Sequence, residues 1–203
     1  MPVKYDLKEQ PSGICSSHII LRSERNTMNS KCLLIDRDGT LIEHIPYLIK
    51  FEKVFFIAEV VEVIRRANKE LIPVFIVSNQ AGVAHGYFTE LDLMNLNLEI
   101  LNALNRIHEV YVDGILCCTS HPAPKIVSNA RVCSCRKPEP GLLLAAIGEA
   151  GVVREKTGIL GDSDSDVSAG VNAKLGYTWK MSTTNRAQVK DSITNWMSGE
   201  SEQ

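Results

Sequence analysis

Four short apolar runs, at 32–35, 73–77, 114–117 and 159–160, recur along the chain, and each gives way at once to polar residues. Consecutive apolar positions, rather than alternating ones, predict strands covered on both faces. Between the runs the apolar period changes. Over 60–70, Val60, Val63, Ile64 and Ala67 share one helical face. Thr89 can cap a helix reaching Leu104, with Asp92 in its first turn. Further helices are expected at 141–150 after Pro140, at 167–173 and at 185–196, with a fifth strand at 177–179. Strands alternating with helices predict an α/β fold, a doubly wound parallel sheet with helices on both sides. The segment between Thr40 and Val60 is too short for an independent cap domain. In such a sheet a ligand sits beyond the carboxyl ends of the strands, which is where the polar clusters fall.

Composition narrows the classes of function. The chain has 203 residues, with 22 Lys+Arg against 24 Asp+Glu. That balance argues against a nucleic-acid partner held by bulk charge. No apolar stretch reaches the length of a membrane helix, and the N-terminus lacks the apolar core of a secretory signal. The expectation is a cytoplasmic protein, a monomer or weak oligomer, with no membrane partner. Residues 1–30 are mixed and polar and read as an N-terminal extension to a domain spanning 31–203. Of six cysteines, Cys117, Cys118, Cys133 and Cys135 lie close together. Without an export signal such clustering points to metal before disulfide.

The polar clusters carry the chemistry. Asp36 and Asp38, in Asp36-Arg37-Asp38-Gly39-Thr40, leave the first strand two residues apart. One carboxylate can attack or bind metal while the other moves a proton. Ser78-Asn79-Gln80 offers a hydroxyl and backbone N–H groups to an anion. Arg136-Lys137-Pro138 supplies two cations, and the acidic loop starting Gly161-Asp162 suits a hard cation. Carboxylates, a cation and phosphate-sized donors together describe phosphoryl transfer.

These motifs resemble those of the haloacid dehalogenase (HAD) superfamily of phosphatases: Asp36-x-Asp38-Gly39-Thr40, Ser78-Asn79, Lys137-Pro138 and Gly161-Asp162-x-x-x-Asp166. More closely, LIDRDGT, SNQAGVAHGYFT, CRKPEPG and GDSDSD are similar to the heptose bisphosphate phosphatases and the related histidinol-phosphate phosphatases. The resemblance covers roughly 31–180. It implies that Asp36 is the nucleophile and that Asp38 protonates the leaving oxygen, then activates water. It implies Mg²⁺ on Asp36, on the carbonyl of Asp38 and on Asp162. It also implies phosphoryl binding by Ser78, Asn79 and Lys137, and substrate contacts from Arg136, with His44 and Tyr47 in the substrate loop. The implied substrate is a small phosphorylated metabolite, a heptose bisphosphate first and histidinol phosphate as the alternative. A reading from another class is a zinc-binding interaction module without catalysis, which would require a broken core motif. Two positions depart from the family pattern. Pro46 precedes Tyr47 where a Gly-Tyr pair is usual, and His85 stands where Arg is common.

Cys118-x-x-His121 and Cys133-x-Cys135 form two half-sites of a Cys₃His zinc site in the loop 118–135. The family's zinc loop has the same order, with its His two residues after the first Cys, where this chain has Ser120. The expected ligands of a structural Zn²⁺ are therefore Cys118, His121, Cys133 and Cys135.

Overall fold

The computed structural model describes residues 5–7, 21–23, 30–125 and 133–199. The early positions Cys15 and His18, and the loop span 126–132, lie outside the described residues. The strands are β1 (Tyr5–Leu7), β2 (Leu21–Ser23), β3 (Cys32–Ile35), β4 (Val74–Asn79), β5 (Gly114–Cys118), β6 (Thr157–Gly161) and β7 (Tyr177–Lys180). The helices are α1 (Ala58–Lys69), the single turn α2 (Ala81–Ala84), α3 (Glu90–Arg106), α4 (Gly141–Ala150), α5 (Asp164–Asn172) and α6 (Arg186–Ser198).

The sheet order is β1-β2-β5-β4-β3-β6-β7. The five strands from β5 to β7 are mutually parallel, as expected. The N-terminal segment differs from the expectation of a plain extension, because β1 and β2 pair antiparallel and continue the sheet on β5. Three-residue strands leave too little apolar pattern to be read, yet their backbone covers the otherwise open edge of β5.

Alternation along β3 divides the core. Leu33 and Ile35 join Ile76 and Ile115 on the face covered by α1, α3 and α6. Cys32 and Leu34 join Phe75, Val77 and Leu116 against α4 and α5. Each fully buried aliphatic chain contributes about 1.5–3 kcal/mol. Both faces are thus apolar, which is why the strands read as continuous runs.

Helix starts follow their caps. Thr89 accepts from the Asp92 N–H at 3.1 Å while Asp92 accepts from the Thr89 N–H at 2.8 Å. This reciprocal box satisfies two N–H groups that the helix itself cannot. Ser163 and Asp166 form the same box on α5. That helix therefore begins at Asp164, not at Val167, since its polar first turn carries no apolar signal. Between Thr40 and α1 stand only isolated bridges and a 3-10 turn at Phe51–Lys53, so no cap domain is inserted there.

From β3 the chain order runs outward in opposite directions, to β4 and β5 on one side and to β6 and β7 on the other. Such a reversal opens a crevice at the carboxyl ends of the central strands.

Candidate active site

Every polar cluster named above reaches that crevice. Asp36 follows β3, Ser78 and Asn79 end β4, Asp162 follows β6, and Asp166 lies in the first turn of α5. Lys137 arrives on the loop before α4. Asn79 fixes that loop from both sides, accepting from the Lys137 N–H at 3.1 Å and donating to the Lys137 carbonyl at 2.9 Å. A cis bond joins Lys137 to Pro138, whose carbonyl accepts from Asn172 at 2.9 Å.

Lys137 is the hub. Its buried ammonium donates to Asp36 at 2.5 Å, to Asp166 at 2.5 Å and to the Val77 carbonyl at 2.9 Å. Burial alone would discharge it, but the Asp36 and Asp166 carboxylates outweigh that and raise its pKa. Burial pushes Asp36 up to about 7; Lys137 opposes the rise, and the charges of Asp166 and Asp38 add to it. Asp162, half-buried, is raised by the same two causes, burial and then Asp166. Carboxylate oxygens of Asp36, Asp162 and Asp166 lie within 4.8 Å of one another. Three oxygen donors so close, with more negative charge than one lysine offsets, fit a hard divalent cation. Gly39, at φ +90°, passes against the Asp162 carboxylate where any Cβ would overlap it.

The Asp38 carboxylate is not part of this group. It takes both arms of the Arg37 guanidinium at 3.1 Å, Gln80 at 2.6 Å and the Ser78 hydroxyl at 3.4 Å. Asp36 and Asp38 therefore face different partners although they are two residues apart. A cavity of about 280 Å³ opens beside Asp38, lined by Arg37, Asp38, His44, Tyr47, Asn79 and Gln80 among others. Arg136 lies elsewhere, donating to the Ser120 carbonyl at 3.0 Å. Sequence reasoning named Gln80 and Asp166 only as members of their clusters and gave the Arg37 side chain no role. The spacing within Gly161-Asp162-Ser163-Asp164-Ser165-Asp166 does hint at a second inward carboxylate, one helical turn beyond Asp162.

The cysteine half-sites also meet. Cys118, Cys133 and Cys135 place their sulfurs within 4.8 Å of one another, Cys118 lying 3.9 and 3.8 Å from the other two. Cys133 and Cys135 are bonded sulfur to sulfur. His121, expected as the fourth ligand, is not brought to this group. Its Nδ1 accepts from the Ala123 N–H at 3.1 Å and its ring lies 4.7 Å from that of His85. Ser120 is there instead, its buried hydroxyl 3.1 Å from Cys118 Sγ. Side chains alternate along extended chain, so a residue two positions after Cys118 returns to its side and the next one points away.

A family description, HAD-hydrolase-like, matches residues 134–182. The D-glycero-β-D-manno-heptose-1,7-bisphosphate 7-phosphatase of Escherichia coli K12 is 33% identical over 144 residues, which is 71% of this chain and 75% of that enzyme. The chain belongs to the HAD phosphatases. The Haemophilus influenzae enzyme of the same name is 34% identical over 72% of this HAD phosphatase and 78% of its own length. Among solved structures, a Mesorhizobium loti protein described as an HAD-like phosphatase superposes with a TM-score of 0.78 at 26% identity, over 89% of this chain and 94% of that one. The D,D-heptose 1,7-bisphosphate phosphatase of B. bronchiseptica, solved with magnesium and phosphate, gives 0.64 at 25% identity, over 74% and 79%. No helix among the described residues is long and apolar enough to cross a membrane.

Proposed function

We propose that this HAD phosphatase removes the 7-phosphate of D-glycero-D-manno-heptose 1,7-bisphosphate through an aspartyl-phosphate. One observation carries the chemistry: a buried lysine and three carboxylates converge at the strand ends, beside a fourth carboxylate, that of Asp38, which is held separately by Arg37. The curated relatives supply the choice of substrate.

Asp36 attacks phosphorus as the P–O bond to the sugar breaks, and Asp38 delivers a proton to the leaving oxygen. Asp38 then takes a proton from water, which attacks the phosphorus and frees Asp36 with release of phosphate. Lys137, with Ser78 and Asn79 at the end of β4, binds the transferring group, and the ammonium offsets the repulsion between carboxylate and phosphate. Asp36, Asp162 and the backbone carbonyl of Asp38 would hold Mg²⁺, which supplies further positive charge against the phosphate oxygens. His44 and Tyr47 line the cavity and would contact the sugar. Arg136, held on the Ser120 carbonyl away from that lining, would contact a more distant part of the substrate.

Cys118, Cys133 and Cys135, when reduced in the cytoplasm, would hold a structural Zn²⁺ through three thiolates. Ser120 faces the fourth position in place of His121.

A phosphate-release assay over heptose bisphosphate, histidinol phosphate and simple sugar phosphates, with Mg²⁺ or with EDTA, tests this reading. Heptose bisphosphate should be hydrolysed best, and only with metal. Preference for histidinol phosphate would overturn the substrate assignment, and full turnover in EDTA would overturn the metal assignment.

A further inference from the structure

Arg37 sits between the two carboxylates of its motif in sequence, and its side chain is 1% exposed. A fully buried guanidinium needs acceptors for its N–H groups, because an unpaired buried charge is costly. The structure shows which ones it has. Nε and Nη2 donate to the two oxygens of Asp38, and Nη1 donates to Asn97 Oδ1 at 2.8 Å. Asn97 comes from the middle of α3 and has no exposed surface. Its own amide donates to Cys117 Sγ at 3.4 Å, on β5, so neither end of the asparagine is loose. A planar guanidinium held along one edge and at the opposite nitrogen cannot rotate.

We infer that Asn97 is a positioning residue for the reaction, which acts through Arg37 to fix the orientation of the Asp38 carboxyl. An asparagine in the interior of a helix and far from the crevice in sequence would otherwise be a costly choice, since a leucine there would join the surrounding Leu93, Leu96, Ile100 and Leu101. The chain Cys117–Asn97–Arg37–Asp38 thus ties the acid-base group to α3 and β5 and not only to its own loop. Small errors in the placement of a proton-transfer group lower rates steeply, by up to about 100-fold for a displacement near 1 Å.

The inference rests on the reading of Asp38 as the acid that protonates the leaving oxygen, and the test separates the two. An alkoxide leaving from a sugar phosphate needs that proton. The p-nitrophenolate leaving from p-nitrophenyl phosphate does not. The parameter kcat/KM extends only to departure of the leaving group and so isolates this step. Asn97→Leu should lower kcat/KM for heptose bisphosphate by about 10-fold or more and leave that for p-nitrophenyl phosphate nearly unchanged. Asn97→Asp, which keeps an acceptor for Nη1, should restore most of the loss. Asp38→Asn should show the same selectivity, more strongly. If Asp38→Asn depresses both substrates alike, the acid-base reading fails. If Asp38→Asn is selective and Asn97→Leu depresses both alike, Asn97 merely supports the fold and the inference is overturned. Should Asn97→Leu not fold, Arg37→Lys keeps the charge and removes the fork, and the same two outcomes decide.

Discussion

The ammonium of Lys137 lies 2.5 Å from the carboxylate of Asp36, a residue 101 positions earlier in the chain. The same nitrogen reaches Asp166 on a third element, so one lysine partners two of the buried carboxylates and offsets part of their negative charge. Replacing it by Lys137→Ala strips the partner from two buried carboxylates. The expected cost is about 3–5 kcal/mol, read as a lower urea midpoint in EDTA. Millimolar Mg²⁺ should recover part of it by binding the folded state. An unchanged midpoint would contradict the central role given to this ion pair.

Asp36→Asn should behave differently. Burial already disfavours the charged form of Asp36, whose pKa rises to about 7, so a neutral isostere is tolerated where it stands. Turnover should fall by about 1,000-fold or more with loss of the nucleophile, while the thermal midpoint is kept or raised. Retained turnover would remove Asp36 from the role of nucleophile.

Protein purified without chelator should contain about one zinc per chain, as a closed site of this kind takes a single metal. Cys133→Ser should lose it. His121→Ala should keep it, because His121 lies against His85 and not against the sulfurs. Zinc lost on His121→Ala, measured by elemental analysis, would restore the imidazole as ligand.

Burial pushes the Cys117 thiol up to about 11, the Arg37 charge opposing the shift. Near neutral pH it therefore carries almost no thiolate, the reactive form. Peptide mapping after iodoacetamide treatment should find Cys117 unmodified in the native protein and alkylated in urea. Labelling of the native state would show that this strand opens.

Thr89→Ala removes one half of the capping box on α3. A loss of about 1 kcal/mol is expected, with kcat unaffected because Thr89 touches none of the groups placed in the reaction. A fall in kcat larger than the stability change would tie the start of α3 to the site.

Much of the architecture is legible in local pattern. The run at 32–35 and the stripe of Val60, Val63, Ile64 and Ala67 are repeated signals that solvent exclusion imposes on any strand or helix in this arrangement. Asp36, Asp38 and Asp162 are legible for a related reason. They sit directly after strands, and a parallel sheet must bring such positions to one edge. Lys137 lies on the loop before α4 and is legible through its Lys-Pro motif. The first turn of α5 and the strands β1 and β2 escape this reading, since capping residues and three-residue edge strands carry no apolar period.

The chain's own sequence, then, determined the parallel sheet, the side of it that bears the chemistry and the residue types available there. Tertiary structure decided the partnerships: Lys137 with Asp166 as well as Asp36, Arg37 with Asn97, and Ser120 instead of His121 beside the sulfurs. Periodicity is a property of neighbours in the chain and can be read along it. A hydrogen bond between residues 60 or 101 positions apart depends on side-chain direction and on the packing of whole elements, and these exist only once the fold is complete.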